Sequence, residues 1–274
     1  MPELPEVERY RTVAESALGR VIAEVRAFDA WYLKRGASQR ELAGVLEGAR
    51  FWRARRTGKL LLLDVDTGKG ARPPSDGPVL GLHFGMSGTL LVDAGSATER
   101  ATEDQLAYSS HKVLPGWDRF ALRFEDGGEM RVNDARRLGG VELDPDPRRL
   151  GPDALGLSLS GLRAQLGSSS TPLKARLMDQ SRLAGVGNLI ADEALWRAGL
   201  DPRRSANSLD LAQMRKLQRH LRKTIDDLIL RGGSHHGDLM PARHLDGRCP
   251  KDGARLTRGK VGGRTTYWCS IHQI

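Results

Sequence analysis

The sequence predicts an α+β chain of two domains, a β-sandwich followed by a helical domain. Three observations carry this. β-type runs separated by turn-rich breaks fill the first half; the pattern changes near Asp144-Pro145-Asp146-Pro147; beyond that point apolar residues recur every three or four positions. At 274 residues the chain is long for one core and comfortable for two.

A helix is expected over 6–18, stopped by Gly19. The β-type runs are 21–28, 60–65, 79–84, 89–92, 120–124 and 129–132. Segments 67–78 and 94–104 are rich in Gly, Pro, Ser and charge and read as mobile loops. Together these predict a two-layer sandwich over residues 1–143 with the N-terminal helix packed on it. Residues 144–158 read as a linker. In the helical part Leu211, Met214, Leu217, Leu221, Ile225 and Leu228 form one apolar stripe, with Ser208 as a good N-cap. That stripe is core. No internal repeat is evident.

Lys and Arg total 43 against 34 acids, a net charge of +9. That balance suits a polyanion such as nucleic acid, and an anionic membrane surface would also explain it. No apolar run approaches the length needed to span a bilayer, and the start is acidic rather than a basic signal region. The expectation is a cytosolic monomer. The only cysteines, Cys249 and Cys269, lie near the C-terminus. Two thiols cannot build a disulfide framework, and in a reducing compartment a metal site is favoured over a bridge.

The first six residues, Met1-Pro2-Glu3-Leu4-Pro5-Glu6, make poor structural material. Removal of Met1, which the small Pro2 permits, exposes a secondary amine with a reference pKa of about 7.7–8.0. Such an amine attacks an electrophilic carbon and forms an iminium, as catalytic Lys amines do. Glu3 and Glu6 are then candidate proton carriers. The other reading is an ordinary leader into a helix, and the hexapeptide alone leaves both open.

The rest of the chain carries a resemblance. Met1–Glu8, then Arg55-Arg56-Thr57-Gly58-Lys59, His83-Phe84-Gly85-Met86-Ser87-Gly88, Asn133-Asp134-Ala135-Arg136-Arg137-Leu138-Gly139 and Gly185-Val186-Gly187-Asn188 occur in one order, before a finger-like tail. In that order they resemble the formamidopyrimidine-DNA glycosylase/endonuclease VIII family of base-excision repair enzymes. The resemblance spans nearly the whole chain. It implies a helix–two-turn–helix DNA-binding domain over 159–239 and a β-hairpin zinc finger over 240–274.

It also implies roles. Lys59, on its own a basic strand edge, becomes an active-site lysine that contacts the phosphate beside the lesion; a compact ammonium suits that role. Met86, otherwise a core methionine, becomes a wedge filling the space left by a flipped nucleotide. Arg136 would pair with the orphaned base and Leu138 would insert beside it. The family usually has Pro at 135 and Phe at 138, so the smaller wedge here leaves the opposite-base preference open. Gly185–Asn188, otherwise a plain tight turn, becomes a phosphate clamp at a helix start, with Asn188 contacting the backbone. Glu193 is given a supporting role.

The family's finger usually has four cysteines. Here Asp252 and His272 stand where two of them are expected. The preferred set is His244, Cys249, Cys269 and His272, four N and S ligands in two close pairs that suit tetrahedral, structural Zn2+. Asp252 in place of His244 is the alternative. Arg264 would sit at the hairpin tip and bind the phosphate at the damaged nucleotide. Adjacent His235 and His236 point apart and suggest a surface or DNA-contact role. The short stretch from Gly232 to Cys249 resembles endonuclease VIII, while the N-terminus resembles the formamidopyrimidine enzymes.

The resemblance thus implies a bifunctional DNA glycosylase/AP lyase acting on duplex DNA with a damaged base or abasic site, cleaving by β,δ-elimination. The default substrate is an oxidised base, with bulky or alkylated adducts as an alternative. A second class is a DNA-binding protein of the same fold with reduced catalysis; retention of Pro2, Glu3, Glu6 and Lys59 together argues against it. A third, a zinc-dependent RNA- or ribosome-associated protein, explains the basicity but not the N-terminus. A bacterial-type, nucleoid-associated location goes with the first class.

Overall fold

The computed structural model describes residues 2–68, 77–93 and 113–274. The expected loop at 94–104 and most of that at 67–78 lie outside the described residues. The chain forms two compact units: one of Met1–Pro2 with Glu6–Pro147, the other of Glu3–Pro5 with Arg148–Ile274.

Two antiparallel four-stranded sheets build the first unit. One has the order β1 (Ile22–Ala27), β6 (Asp118–Phe124), β7 (Glu129–Asn133), β5 (Thr89–Val92). The other runs β2 (Arg50–Thr57), β3 (Leu60–Asp66), β4 (Val79–His83), β8 (Gly140–Leu143). Strand β3, between two neighbours, is buried from Leu61 onward, its four leucines leading into Asp64 and Asp66, which pair with Arg55 and Arg50 across the ladder. The sheets share one core with Val7, Tyr10 and Ala14 of helix α1 (Leu4–Ala14). α1 begins two residues before the expected start, because Pro5 is tolerated in a first turn whose N–H groups have no helical partner. It ends at Ala14, and a 3-10 turn over Glu15–Ala17 completes the segment ahead of Gly19. A further helix, α2 (Gln39–Leu46), is capped by the Ser38 side chain.

The second unit is built on α3 (Leu159–Leu166), α4 (Leu173–Met178), α5 (Asn188–Ala198) and α6 (Leu211–Leu230). In α6 the stripe Leu217, Leu221, Ile225 and Leu228 is buried, while Leu211 is exposed. The cap of α6 is Asp210, not Ser208. Asp210 accepts from the Gln213 N–H while the Gln213 side chain accepts from the Asp210 N–H, and this reciprocal box outcompetes a hydroxyl two residues earlier. α5 is buried on nearly every side from Ile190 to Ala198, so its charged residues Asp192, Glu193 and Arg197 must be paired internally. A hairpin of β9 (Thr257–Val261) and β10 (Arg264–Trp268) follows, over a small core of Trp196, Leu239, Leu256 and the two cysteines. Among the described residues no helix is long and apolar enough to cross a membrane.

Candidate functional site

The turn before α5 is shaped around the start of the chain. Both Glu3 oxygens are engaged: Oε1 accepts from the Leu189 N–H at 2.9 Å and Oε2 from the Ile190 N–H at 3.1 Å. These are N–H groups of a helix's first turn, which point at an anion without an intrahelical partner. Glycine is required at 187, since a Cβ there would overlap the Glu3 carboxyl carbon. The Gln180 side chain holds the turn from behind, donating to Val186 O and accepting from the Gly185 N–H. Glu3 and Asn188 therefore meet at one helix N-terminus. Asn188 Oδ1 is buried and accepts no hydrogen bond among the described residues. Pro2 is half-buried, and Glu6 is buried in the first turn of α1.

In the sandwich, Gly58 and half-buried Lys59 form the turn that pairs Thr57 with Leu60, and Leu60 pairs onward with His83. The His83 imidazole, exposed at the end of β4, is held below its ordinary pKa by desolvation from the surrounding chain and then by the Lys59 charge. The next segment, 84–88, is a turn closed by the Gly88 N–H donating to Phe84 O at 2.8 Å. Met86 lies on it, 36% exposed, which removes the core alternative.

Fully buried Asp134 stitches this turn to the loop 134–139. Its Oδ1 accepts from Ser87 Oγ (2.5 Å) and the Arg136 N–H (3.1 Å). Its Oδ2 accepts from the Gly139 N–H (2.9 Å) and the Tyr32 hydroxyl (3.3 Å). With the acid fastening both loops from below, Arg136 and Leu138 are exposed on one of them and Met86 on the other. The three assigned wedge residues thus share one framework.

Arg264 is exposed immediately after the Gly262-Gly263 turn. Both glycines have positive φ, 57° and 75°, as a tight two-residue hairpin requires. The hairpin is fixed by a residue the sequence reading missed. Buried Lys174 on α4 pairs with Asp192 on α5 at 2.7 Å and donates to Thr266 Oγ1 at 2.7 Å. Arg243 also pairs with Asp192. Burial lowers the Lys174 pKa, and Asp192 opposes that shift. One lysine inside an otherwise helical pattern carries no sign of such a partner. Glu193 lies elsewhere in the unit: it accepts from the Asp238 and Leu239 N–H groups and from Arg197, anchoring the segment after His236.

At the base of the finger, Cys249, Asp252, Cys269 and His272 bring one ligand atom each to within 4.8 Å of one another. The preference for His244 is corrected. His244 is exposed and its Nδ1 engages Leu245 O at 2.7 Å, whereas Asp252 lies in the turn that the Gly253 N–H closes onto Cys249 O. Cys269 Sγ is 3.2 Å from Asp252 Oδ2, His272 Nδ1 is 2.9 Å from Asp252 Oδ2, and Cys249 Sγ is 3.6 Å from His272 Nδ1. Tetrahedral zinc, with ligands at about 2.0–2.3 Å, has ligand–ligand edges of about 3.3–3.8 Å, close to these spacings. The surroundings fit too. His272 Nε2 hydrogen-bonds Trp196 O at 3.1 Å, which leaves Nδ1 as the ligand atom, and Trp196 Nε1 donates to Cys249 Sγ at 3.3 Å.

Comparison with known proteins gives the same picture over the whole chain. Residues 1–141 match the model of the formamidopyrimidine-DNA glycosylase N-terminal domain and residues 150–238 that of the formamidopyrimidine-DNA glycosylase H2TH domain. The chain is 35% identical to the formamidopyrimidine-DNA glycosylase of Cereibacter sphaeroides strain KD131 and 34% identical to that of Paracoccus denitrificans, covering 100% of both chains in each case. In fold it is similar to the LlFpg protein solved with a THF-DNA and an inhibitor, at a TM-score of 0.80, 24% identity and full coverage of both chains. A second solved structure, Lactococcus lactis Fpg with DNA containing an abasic site, matches at a TM-score of 0.78 and 23% identity over 99% of each chain. With both domain models matched in order and relatives aligned end to end, the chain belongs to the formamidopyrimidine-DNA glycosylase family.

Proposed function

We propose that this DNA glycosylase flips a damaged, oxidised base out of duplex DNA, excises it through Pro2, and cleaves the strand as an AP lyase. The observation that carries the reading is the fixed Glu3 carboxylate, on the residue that follows Pro2 and held by two backbone donors. C1′ of a stacked nucleotide is out of reach, so extrusion comes first. The Pro2 nitrogen then bonds to C1′ as the C1′–N bond to the base breaks, and the base leaves with a proton from water. Glu3 takes the proton that the Pro2 nitrogen loses and passes it to the ring oxygen O4′, which opens the sugar ring and gives an iminium. Loss of a C2′ proton expels the 3′ phosphate, loss of a C4′ proton expels the 5′ phosphate, and water releases the sugar fragment from Pro2.

Glu6 and Lys59 support proton movement and phosphate binding. Asn188 and Arg264 hold phosphates, and Met86, Arg136 and Leu138 occupy the gap left by flipping. Glu193 acts at one remove, by anchoring the segment after His236. Cys249, Asp252, Cys269 and His272 would hold zinc, which would supply no chemistry and would fix the fold that presents Arg264. The working division is a catalytic sandwich over 1–143, a linker over 144–158, a helical DNA-binding domain over 159–239 and a finger over 240–274. A cytoplasmic, nucleoid-associated monomer suits this activity.

Borohydride trapping on duplexes carrying oxidised, alkylated or abasic sites tests the reading and ranks substrates. A covalent adduct at Pro2 is expected. Excision without a trappable adduct would sink the N-terminal mechanism, and binding without excision would make the chain a damage-binding protein.

A further inference from the structure

Next to the loop 134–139 the sandwich carries an aromatic surface that the roles above leave unused. Trp31 is 70% exposed and Phe28 55% exposed. A large ring left in water on a soluble protein is the informative exception to burial. The segment presenting Trp31 is well fixed. Asp29 accepts from the Trp31 N–H and takes a two-pronged salt bridge from Arg137, at 2.6 and 2.9 Å. Tyr32, one residue on, is buried and donates to Asp134, the acid that fastens both wedge loops. Trp31 therefore belongs to the same framework as Arg136 and Leu138. Arg137, between those two, has a left-handed backbone with φ 58°. An arginine holds that conformation only where its surroundings enforce it, and the Asp29 pair does so here.

The charge around the ring indicates its partner. Lys34 Nζ stands 4.9 Å from the Trp31 ring centroid, and Arg26 stands over Phe28 at 5.6 Å. An exposed indole with a lysine over its face matches a surface that stacks on a base beside a phosphate. It does not match a dry protein interface, whose core is depleted of charge.

We propose that Trp31 is a DNA-contacting residue that meets the strand carrying the undamaged partner base, beside the gap assigned to Arg136 and Leu138. The proposal rests on the reading of that loop given above. Lys34 lies over the ring on one side, and the rest of the indole faces outward to receive an unstacked base or its sugar. Because the contact is to the partner strand, Trp31 bears on opposite-base preference rather than on the chemistry at C1′.

The test uses the full-length protein and duplexes with a tetrahydrofuran abasic analogue, with 2-aminopurine in the undamaged strand beside the position opposite the analogue. Trp31→Ala is expected to weaken duplex binding by about fivefold to a hundredfold, the range for one lost base–aromatic stack. It should also reduce the 2-aminopurine emission change seen on binding by the wild type, with the melting temperature unchanged, and Trp31→Phe should recover much of both signals. Wild-type affinity and emission change in Trp31→Ala would overturn the inference. Arg136→Ala, measured in parallel, separates the two failures. If Arg136→Ala slows duplex excision and Trp31→Ala alters nothing, only the Trp31 contact falls. If Arg136→Ala is silent, the loop reading falls, and with it the placement of Trp31 beside the gap.

Discussion

The Ser87 hydroxyl donates to the buried Asp134 carboxylate at 2.5 Å, and the same hydroxyl accepts from the Arg136 N–H at 3.1 Å. One side chain thus bridges the two loops that carry the wedge residues. Ser87→Ala leaves the buried acid short of one donor, while the Arg136 N–H keeps Asp134 Oδ1 as its acceptor, a cost of about 1–3 kcal/mol. Asp134→Ala strands several donors and should cost more. Both variants are expected to excise from duplex more slowly while still acting on an abasic site in single-stranded DNA. Excision assays on the two substrates, with thermal melts on the same preparations, check this; equal slowing on both substrates would refute the division.

Met86 gives a sharper contrast. As a core residue its truncation would cost about 2–5 kcal/mol in cavity terms. Its exposed position on the 84–88 turn predicts a change in stability well below that. Met86→Ala should melt near the wild type yet lose duplex excision, because extruding a base costs a few kcal/mol that a wedge offsets. A large drop in melting temperature without a duplex-specific defect would remove the wedge.

Lys174 and Asp192 make a prediction about the hairpin. Breaking a buried pair from one side costs about 3–5 kcal/mol, because the remaining charge stays buried. In Lys174→Met the Asp192 carboxylate keeps Arg243, which limits the loss. Hydrogen exchange should rise across β9 and β10 and leave β3 and β6 protected. DNA affinity should fall, and the salt slope should drop by about one unit as the Arg264 phosphate contact is lost. Unchanged exchange in the hairpin would mean that the pair is not what holds it.

Where periodicity is strong, the fold was legible. Strand β1, strands β3 to β7 and the stripe on α6 follow from spacing alone. β2 escaped because its run Arg50–Thr57 carries four arginines, and what makes it a strand lies across the ladder: Arg50 meets Asp66 and Arg55 meets Asp64. β8 is four residues long and exists by pairing with β4. The same limit applies to the site. Asp134 and Lys174 act through partners distant in sequence, and one-dimensional spacing holds no trace of those pairings. His244 was preferred over Asp252 on ligand type, whereas the backbone turn at 249–253 decides which side chain arrives.

Metal content tests that correction directly. Purified protein should hold one zinc per chain. Asp252→Ala, Cys269→Ser and His272→Ala should each lower zinc retention against a chelator, while His244→Ala should retain it as the wild type does. Loss of zinc in His244→Ala together with retention in Asp252→Ala would reverse the assignment. Acidification should release the metal, since thiolate, carboxylate and imidazole ligands all bind deprotonated.

Gly187 and Glu3 allow the chemistry to be separated from the binding. The helix N-terminus meets the Glu3 carboxyl so closely that no Cβ fits at 187. Gly187→Ala must push the carboxyl away or open the turn, and a displacement of about 1 Å from working geometry can cost about a hundredfold in rate. Glu3→Gln is the complementary change. Its amide offers one oxygen and one NH2 to two backbone donors, so either Leu189 or Ile190 loses its acceptor. Both variants keep the Pro2 amine and the residues assigned to phosphates, so both should bind an abasic-analogue duplex within a few-fold of the wild type. If Glu3 carries the proton to the sugar, both should accumulate less borohydride-trapped adduct from a base-containing duplex. Glu3→Gln should also slow elimination on a pre-formed abasic site. Trapping with wild-type kinetics in both variants would show that Glu3 only caps the helix, and the proton carrier would then have to be Glu6.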